Sequence, residues 1–279
     1  MSELVVRRLL VDLKTPVARQ WNGGDAFRTA LFNALSFSFP AGEQFFIDAV
    51  KLGALDLTDE ERARFDDELK GFIGQEATHR RIHALFNDHL HAQGHRNTWE
   101  ARILKRRQWL EGADARNWVG ATAATEHLTA ILAEHLLAHH GSVLAGAEPR
   151  LRDLWLWHAS EELEHRSVAF DLYRALGGNE KWRRRLFFIG SVNFVVDLAR
   201  QTLRHLWHDG TWWRPSTWAS AAQVLLGRAG LLRHCAGPWW RYLARDFHPS
   251  QADGAPGVRW LAANADLAPP VARSLLSSS

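Results

Sequence analysis

Residues 155–165 read Trp-Leu-Trp-His-Ala-Ser-Glu-Glu-Leu-Glu-His, a run without Gly or Pro that carries His158, Glu162 and His165. At ~100° per residue on a helix, these three fall within roughly 60° of one another. Three side chains of metal-ligand type therefore leave one face toward one point. Unpaired carboxylates and imidazoles are costly to bury, so a fold that turns this face inward must bring partners to it.

The rest of the chain contains such partners. Thr58-Asp-Glu-Glu61 reads as a capping box that opens a helix to about Ala92. Its apolar face holds Phe65, Leu69, Phe72, Ile73, Ile82 and Phe86, and within that stripe stand Glu76 and His79, spaced i, i+3. Phe27, Leu31, Leu35 and Phe39 mark an earlier helix from Asp25. Glu43 continues the same face before Phe46 and Val50, beside a kink expected at Pro40 and Gly42. Asn97 caps a shorter basic helix through Leu110. Asp114 starts a long helix to about His140, with Glu126 among the small residues of 121–130. Pro149 suits the first position of the helix that carries the 155–165 run, which is expected to continue to Gly177-Gly178.

Order and spacing make these a set. Glu43 precedes Glu76 by 33 positions, and Glu126 precedes Glu162 by 36. A helical hairpin of about 16 residues out and back returns to the same height at ~1.5 Å per residue. Each hairpin then contributes one Glu and one Glu-x-x-His at a common level, and His158 is the asymmetric addition. The expected fold is all-α: a ferritin-like four-helix bundle with a dinuclear carboxylate site in its core and additional C-terminal helices.

The candidate metal ligands are Glu43, Glu76, His79, Glu126, His158, Glu162 and His165. Four carboxylates nearly balance two divalent cations, and hard oxygen with imidazole nitrogen suits iron first, with manganese or zinc as alternatives. Singly, each element has a blander reading: surface for Glu76 and His79, a helix surface near a kink for Glu43, a cap or Arg partner for Glu126. Their joint occurrence in matched order carries the assignment. His83 is read as a surface residue first and as a support behind a ligand second; Glu161 and Glu164 flank the string, and Glu134 and His127 are expected to point away from the face of Glu126. The His135/His139 pair lacks the metalloprotease motif, and no nucleophile elbow, phosphate loop or dinucleotide fingerprint occurs.

The segment expectations are an irregular arm (1–24), the bundle (25–178), a Trp- and Arg-rich helical extension (179–248) and a loosely ordered tail (249–279). Residues 179–246 carry seven Trp, and eleven Lys or Arg against four Asp or Glu. Helices are expected there at roughly 180–208, 216–234 and 238–245. Packing over the bundle, where they shape a hydrophobic entrance, is the first reading; contact with a membrane surface is the second. The most apolar run, residues 186–196, is too short to span a bilayer. A net charge of +3 without a basic ladder argues against nucleic acid. A single cysteine, Cys235, forbids an intrachain disulfide and fits a reducing compartment. The N-terminus lacks the order of a signal peptide, so a cytoplasmic protein, membrane-peripheral in the second reading, is expected; a homodimer is compatible with the sequence.

The motifs also carry a resemblance. Phe-Pro-Ala-Gly-Glu-Gln-Phe-Phe, Gln-Glu-Ala-Thr-His-Arg, Ala-Thr-Glu-His-Leu-Thr and Trp-His-Ala-Ser-Glu-Glu-Leu-Glu-His-Arg-Ser-Val-Ala-Phe-Asp resemble a bacterial family labelled predicted metal-dependent hydrolase, over most of residues 25–250 and including Phe247-His-Pro. The ligand pattern is similar to that of the ferritin-like di-iron carboxylate superfamily, and His158 to the third histidine of the para-aminobenzoate N-oxygenase family. That resemblance implies O₂ activation at a di-iron centre and oxidation of a small, hydrophobic organic substrate, with an external electron donor. The alternatives are hydrolysis by metal-activated water and non-enzymatic iron storage. Tyr173 and Tyr242, the only tyrosines, lie off helical spacing from every candidate ligand, which argues against a stable tyrosyl radical.

Overall fold

The computed structural model describes residues 4–271, and its described residues are all-α apart from two isolated bridges. Helices α1 (Ala26–Leu55) and α2 (Asp59–Ala92) form a hairpin, as do α4 (Ala115–Val143) and α5 (Pro149–His165); α1 packs on α4, and α2 on α5. The capping box at Thr58 and Glu61 is present, and Asp25 and Asp114 cap α1 and α4 through their side chains. Helix α3 (Trp99–Leu110) starts where Asn97 Oδ1 accepts the N–H groups of Trp99 and Glu100, each at 3.1 Å.

Helix α1 runs through Pro40 without a break. Proline cannot donate to the carbonyl four residues back, Ser36 O. Asn87 Nδ2 of α2 supplies that hydrogen bond instead, at 3.0 Å. The price of the missing donor is thus met across the hairpin, at the level of the buried acids.

Helix α5 stops at His165, short of the expected Gly177-Gly178; a turn at Arg166 and Ser167 separates it from α6 (Val168–Ala175). Arg166 donates to Leu163 O, Pro249 O and Ala252 O, so the break is where the C-terminal segment attaches. Helix α4 passes Gly141, with a non-helical His139 inside it.

Helix α7 (Glu180–His208) lies against α1 and α4. Beyond it, α8 (Pro215–Leu226) contacts α1, and α9 (Leu231–Tyr242) contacts α4. The break between these two falls at Gly227–Gly230, and Pro238 lies inside α9, contrary to the expected boundary at Gly237-Pro238. By length and composition α7 could cross a membrane, and 28% of its most apolar window is buried. The run 186–196 understated this, because apolar residues continue to Trp207. The inner face of α7 nevertheless holds it on the bundle: buried Asp197 receives Arg102 at 2.6 Å and Arg106 at 2.5 Å.

Part of the segment expected as a loose tail is ordered. A 3-10 turn (Pro249–Gln251) leads to α10 (Ala255–Ala263), which packs on α5, with Leu261 and Ala268 buried. Residues 267–271 then pair with the N-terminal arm through Arg8 N–Pro269 O (3.0 Å), Leu10 N–Leu267 O (2.8 Å) and Val271 N–Val6 O (2.8 Å). Composition hid this, because Ala, Pro and Gly read as loop unless tertiary pairing fixes them. Residues 272–279 of that expected tail, and 1–3 of the arm, lie outside the described residues. The arm itself crosses α2 where Gly71 and Gly74 leave room for Leu4 and Val6; an added Cβ would stand 2.5 Å and 2.4 Å from those side chains.

A candidate two-metal centre in the bundle core

All seven residues expected from the sequence come together. Glu43 (α1), Glu76 and His79 (α2), Glu126 (α4), and His158, Glu162 and His165 (α5) are each at most 3% exposed. Their ligand atoms fall into two lobes. One groups Glu43, His79 and His158; the other groups Glu76, Glu126 and His165, with the donor atoms of each lobe within 4.8 Å of one another, and Glu76, His79 and Glu162 form an equally tight group between them. Glu162 stands at the junction: its Oε1 is 3.0 Å from His158 Nε2 in one lobe and 3.5 Å from His165 Nε2 in the other. His165 Nε2 also faces Glu76 Oε1 at 3.2 Å and Glu126 Oε2 at 3.3 Å.

The hydrogen bonds behind the histidines assign their tautomers. With Glu161 ionised beside Arg7, His79 Nε2 donates to its Oε2 at 3.0 Å. Gln75 sends its amide nitrogen to Val5 O and Glu164, so its oxygen accepts from His165 Nδ1 at 3.0 Å. Ser36 Oγ gives its hydrogen to Asn87 Oδ1 (2.7 Å) and hence accepts from His83 Nδ1 (2.9 Å). His83 Nε2 is then bare and accepts from His158 Nδ1 at 2.8 Å. In all three rings the outward nitrogen carries a hydrogen, and the inward nitrogen, whose lone pair a metal would take, faces the acids.

Those inward atoms, His79 Nδ1, His158 Nε2 and His165 Nε2, are also without a satisfying hydrogen bond. So are both oxygens of Glu43, Glu76 and Glu126, and Oε2 of Glu162. Ten buried polar atoms at roughly 1–3 kcal/mol each would rival the whole stability of a domain, about 5–15 kcal/mol. The donor set therefore fits a pair of divalent cations, with Glu162 placed to touch both. In the protein without metal, burial first, then repulsion among the acids, raises Glu43, Glu76 and Glu126 well above the usual carboxylate range. Burial pushes Glu162 the same way, but the adjoining His158 and His165 outweigh it and hold this one group well below the usual carboxylate range. Burial and the neighbouring His158 keep His79 neutral.

Sequence reasoning misplaced or passed over several supporting residues. His83 is fully buried behind His158, not on the surface as expected. Glu161, assigned to the flank, is buried and orients His79; burial lifts its carboxyl to about 8, against the opposing pull of Arg7. Arg7 of the arm donates to Glu161 Oε1 (3.1 Å) and Glu164 Oε2 (2.7 Å). The available signals were the i, i+4 step from His79 to His83, and the unbroken Glu161-Glu162 pair. Nothing in the arm's sequence signalled Arg7. His127 does turn away from Glu126, toward Pro238 O and Tyr242.

A second group, His95, His208 and Asp209, is chemically different. Gln201 Oε1 accepts from Thr98, so its nitrogen donates to His205 Nε2 (3.3 Å). His205 Nδ1 then donates to His95 Nδ1 (2.9 Å), and the hydrogen of His95 sits on Nε2, toward Asp209 Oδ1 at 3.4 Å. Arg19 holds that same oxygen at 2.7 Å. The chain ends at His95 Nε2, which makes no hydrogen bond but carries its hydrogen toward Asp209, so His95 offers no lone pair outward.

Two apolar cavities reach the centre. One, of about 290 Å³ between α1, α3, α4 and α7, has Glu43 in its wall. The other, of about 60 Å³, touches His158 and Glu162. Phe39, Thr129 and Phe194 line both and separate them.

No curated protein and no solved structure matches the chain. The model of one family matches residues 5–253, across both hairpins and the extension. Lone pairs turned inward from both hairpins are what metal dependence requires, and the chain belongs to the family described as predicted metal-dependent hydrolase.

Proposed function

We propose that this protein is a two-metal enzyme acting on a small substrate with an apolar body, and that its reaction is hydrolysis. The observation that supports a metal-dependent reaction is the set of three inward histidine lone pairs facing four buried carboxylates. Iron, manganese and zinc all suit this donor set. The description of the family favours hydrolysis over the oxidative reading of the sequence. Two bound divalent metals would supply Lewis acidity and activate water near neutral pH.

The chain's own residues would do the rest. Glu162 ties the lobes together, and Glu161, Gln75 and His83 hold the three imidazoles in the ligating tautomer. Phe39 and Phe194 keep the approach apolar, so a substrate enters largely desolvated.

Oxidation with O₂ and an external electron donor is the second reading. The cavity favours it: its lining is mostly apolar, and Glu43, the one carboxylate in its wall, belongs to the proposed ligand set, leaving no free carboxylate base there. Protein loaded separately with zinc, manganese and iron(II) separates the two. Hydrolysis predicts anaerobic cleavage of p-nitrophenyl acyl esters by one of these forms, lost in Glu162→Ala. Absence of cleavage, together with O₂ uptake by the iron(II) form, would replace hydrolysis with oxidation.

A further inference from the structure

The outer face of α7 is apolar along most of its length. Phe188, Ile189, Val192, Val195, Val196, Leu203 and Trp207 are all exposed, from 37% to 65%. From Phe188 to Trp207 the helix rises about 28 Å. Isolated exposed apolar residues are ordinary, but a continuous stripe of this length marks a contact surface. Its charge is one-sided. Lys181 and Arg185 at one end, Arg200 and Arg204 toward the other, and Lys105 on α3 are exposed cations. The only acid between Lys181 and His208 is Asp197, which is buried and held by Arg102 and Arg106. Exposed Trp213, whose ring lies 6.1 Å from that of Trp207, and Trp218, joined to it through Trp212, extend the aromatic surface beyond α7.

The larger cavity is continuous with this face. Ile189 and Trp109 are at once cavity wall and exposed surface, at 45% and 69%. From there the cavity runs inward past Gly190 and Phe194 to Glu43. Apolar stripe, cationic rim and apolar channel share one side of the molecule.

We propose that the outer face of α7 docks on an anionic lipid bilayer and that an acyl-chain lipid enters from it, between α3 and α7, to reach Glu43. A basic helix with an apolar face and tryptophans lies at such an interface, where apolar burial adds to attraction for anionic headgroups. The acyl chain is the substrate class that the cavity's lining accepts, and this part rests on the reading of the buried centre as the place of reaction.

Docking is tested by flotation of the full chain with vesicles of phosphatidylcholine, alone or mixed with phosphatidylglycerol. The mixed vesicles should carry the protein up, and added salt should weaken this. Val192→Asp with Val195→Asp, both at exposed positions, should lower the bound fraction about tenfold or more with unchanged circular dichroism. No flotation with either vesicle at low salt, or flotation untouched by the double variant, overturns docking. So does a wild-type dimer that the double variant turns into a monomer, which would give the face to a second copy. Entry is tested with cis-parinaric acid, whose fluorescence should rise on binding. Gly190→Phe, whose Cβ meets only Ala124 Cβ at 3.9 Å, points a ring into the cavity and should abolish that rise while flotation persists. A rise unaltered by the plug overturns the channel. Neither readout needs metal, so failure of the two-metal reading leaves both intact, and their failure leaves the metal centre intact.

Discussion

His83 Nε2 accepts a hydrogen bond from His158 Nδ1 at 2.8 Å, and this contact fixes which nitrogen of His158 faces the acids. The fixing begins at Pro40. Its missing N–H leaves Ser36 O to Asn87, Asn87 takes the hydroxyl hydrogen of Ser36, and Ser36 Oγ must then accept from His83. A proline in α1 thereby sets the tautomer of a histidine on α5.

His83→Leu should therefore weaken metal binding in one lobe only. Loss of the residue that orients a ligating imidazole typically costs about 10–100-fold in affinity. The ion beside Glu43, His79 and His158 should be lost on gel filtration, and that beside Glu76, Glu126 and His165 retained. Elemental analysis of the eluted protein measures this; two ions retained as tightly as in the wild type would refute the assignment.

Glu162 and Glu126 should differ in the same measurement. Glu162 lies 3.0 Å from His158 and 3.5 Å from His165, so Glu162→Ala removes a donor from both lobes. Glu126 approaches an imidazole of one lobe only, His165 at 3.3 Å. Glu162→Ala should bind close to no metal, whereas Glu126→Gln should keep about one ion per chain.

Stability without metal should fall as pH rises. Burial and mutual repulsion raise Glu43, Glu76 and Glu126, so the folded chain keeps protons that the unfolded chain has released. A raised folded-state value stabilises below the unfolded value, and that contribution disappears as pH climbs toward the folded one. His79 and His83 are lowered by burial, and their effect is confined to pH below about 6.5. Thermal melts between about pH 7 and 8.5 thus isolate the acids. The metal-free Tm should drop across that range, and the gap to the loaded protein should widen, because metal binding displaces the retained protons.

The proposed ligands and the residues that orient them were unequally legible in the sequence. Glu76, His79, Glu162 and His165 lie in apolar helical stripes, where a charged residue contradicts its neighbours and needs a reason. The hairpin spacing follows from helix rise alone, so the level at which the acids meet was also readable. His83 obeys the same periodicity, yet nothing local distinguishes a buried orienting histidine from a surface one; its partners are 47 and 75 positions away. The clasp between residues 6–10 and 267–271 is more remote still, made by backbone groups that carry no sequence signature. The turn at Arg166 was missed because its guanidinium caps Leu163 O through contacts with a segment that composition had marked as loose.

Arg7 offers a test of that remote layer. It is 14% exposed and donates to Glu161, whose side chain is fully buried and in turn holds His79. Burial lifts Glu161 to about 8 even with Arg7 beside it. Below that value the carboxyl is largely protonated, and loss of the guanidinium leaves little charge stranded; above it, Arg7→Ala strands a buried carboxylate. The cost should be about 1 kcal/mol at pH 6 and rise toward about 3 kcal/mol at pH 9, discounted for the partial exposure of Arg7. Urea melts of the metal-free protein at both pH values measure the difference. In a Glu161→Gln background the same Arg7→Ala change should cost equally at both, because the partner that titrates at about 8 is gone and only Glu164 remains. A pH-independent penalty in the Glu161 parent would show that Arg7 acts through Glu164 alone and that the arm does not reach the metal centre.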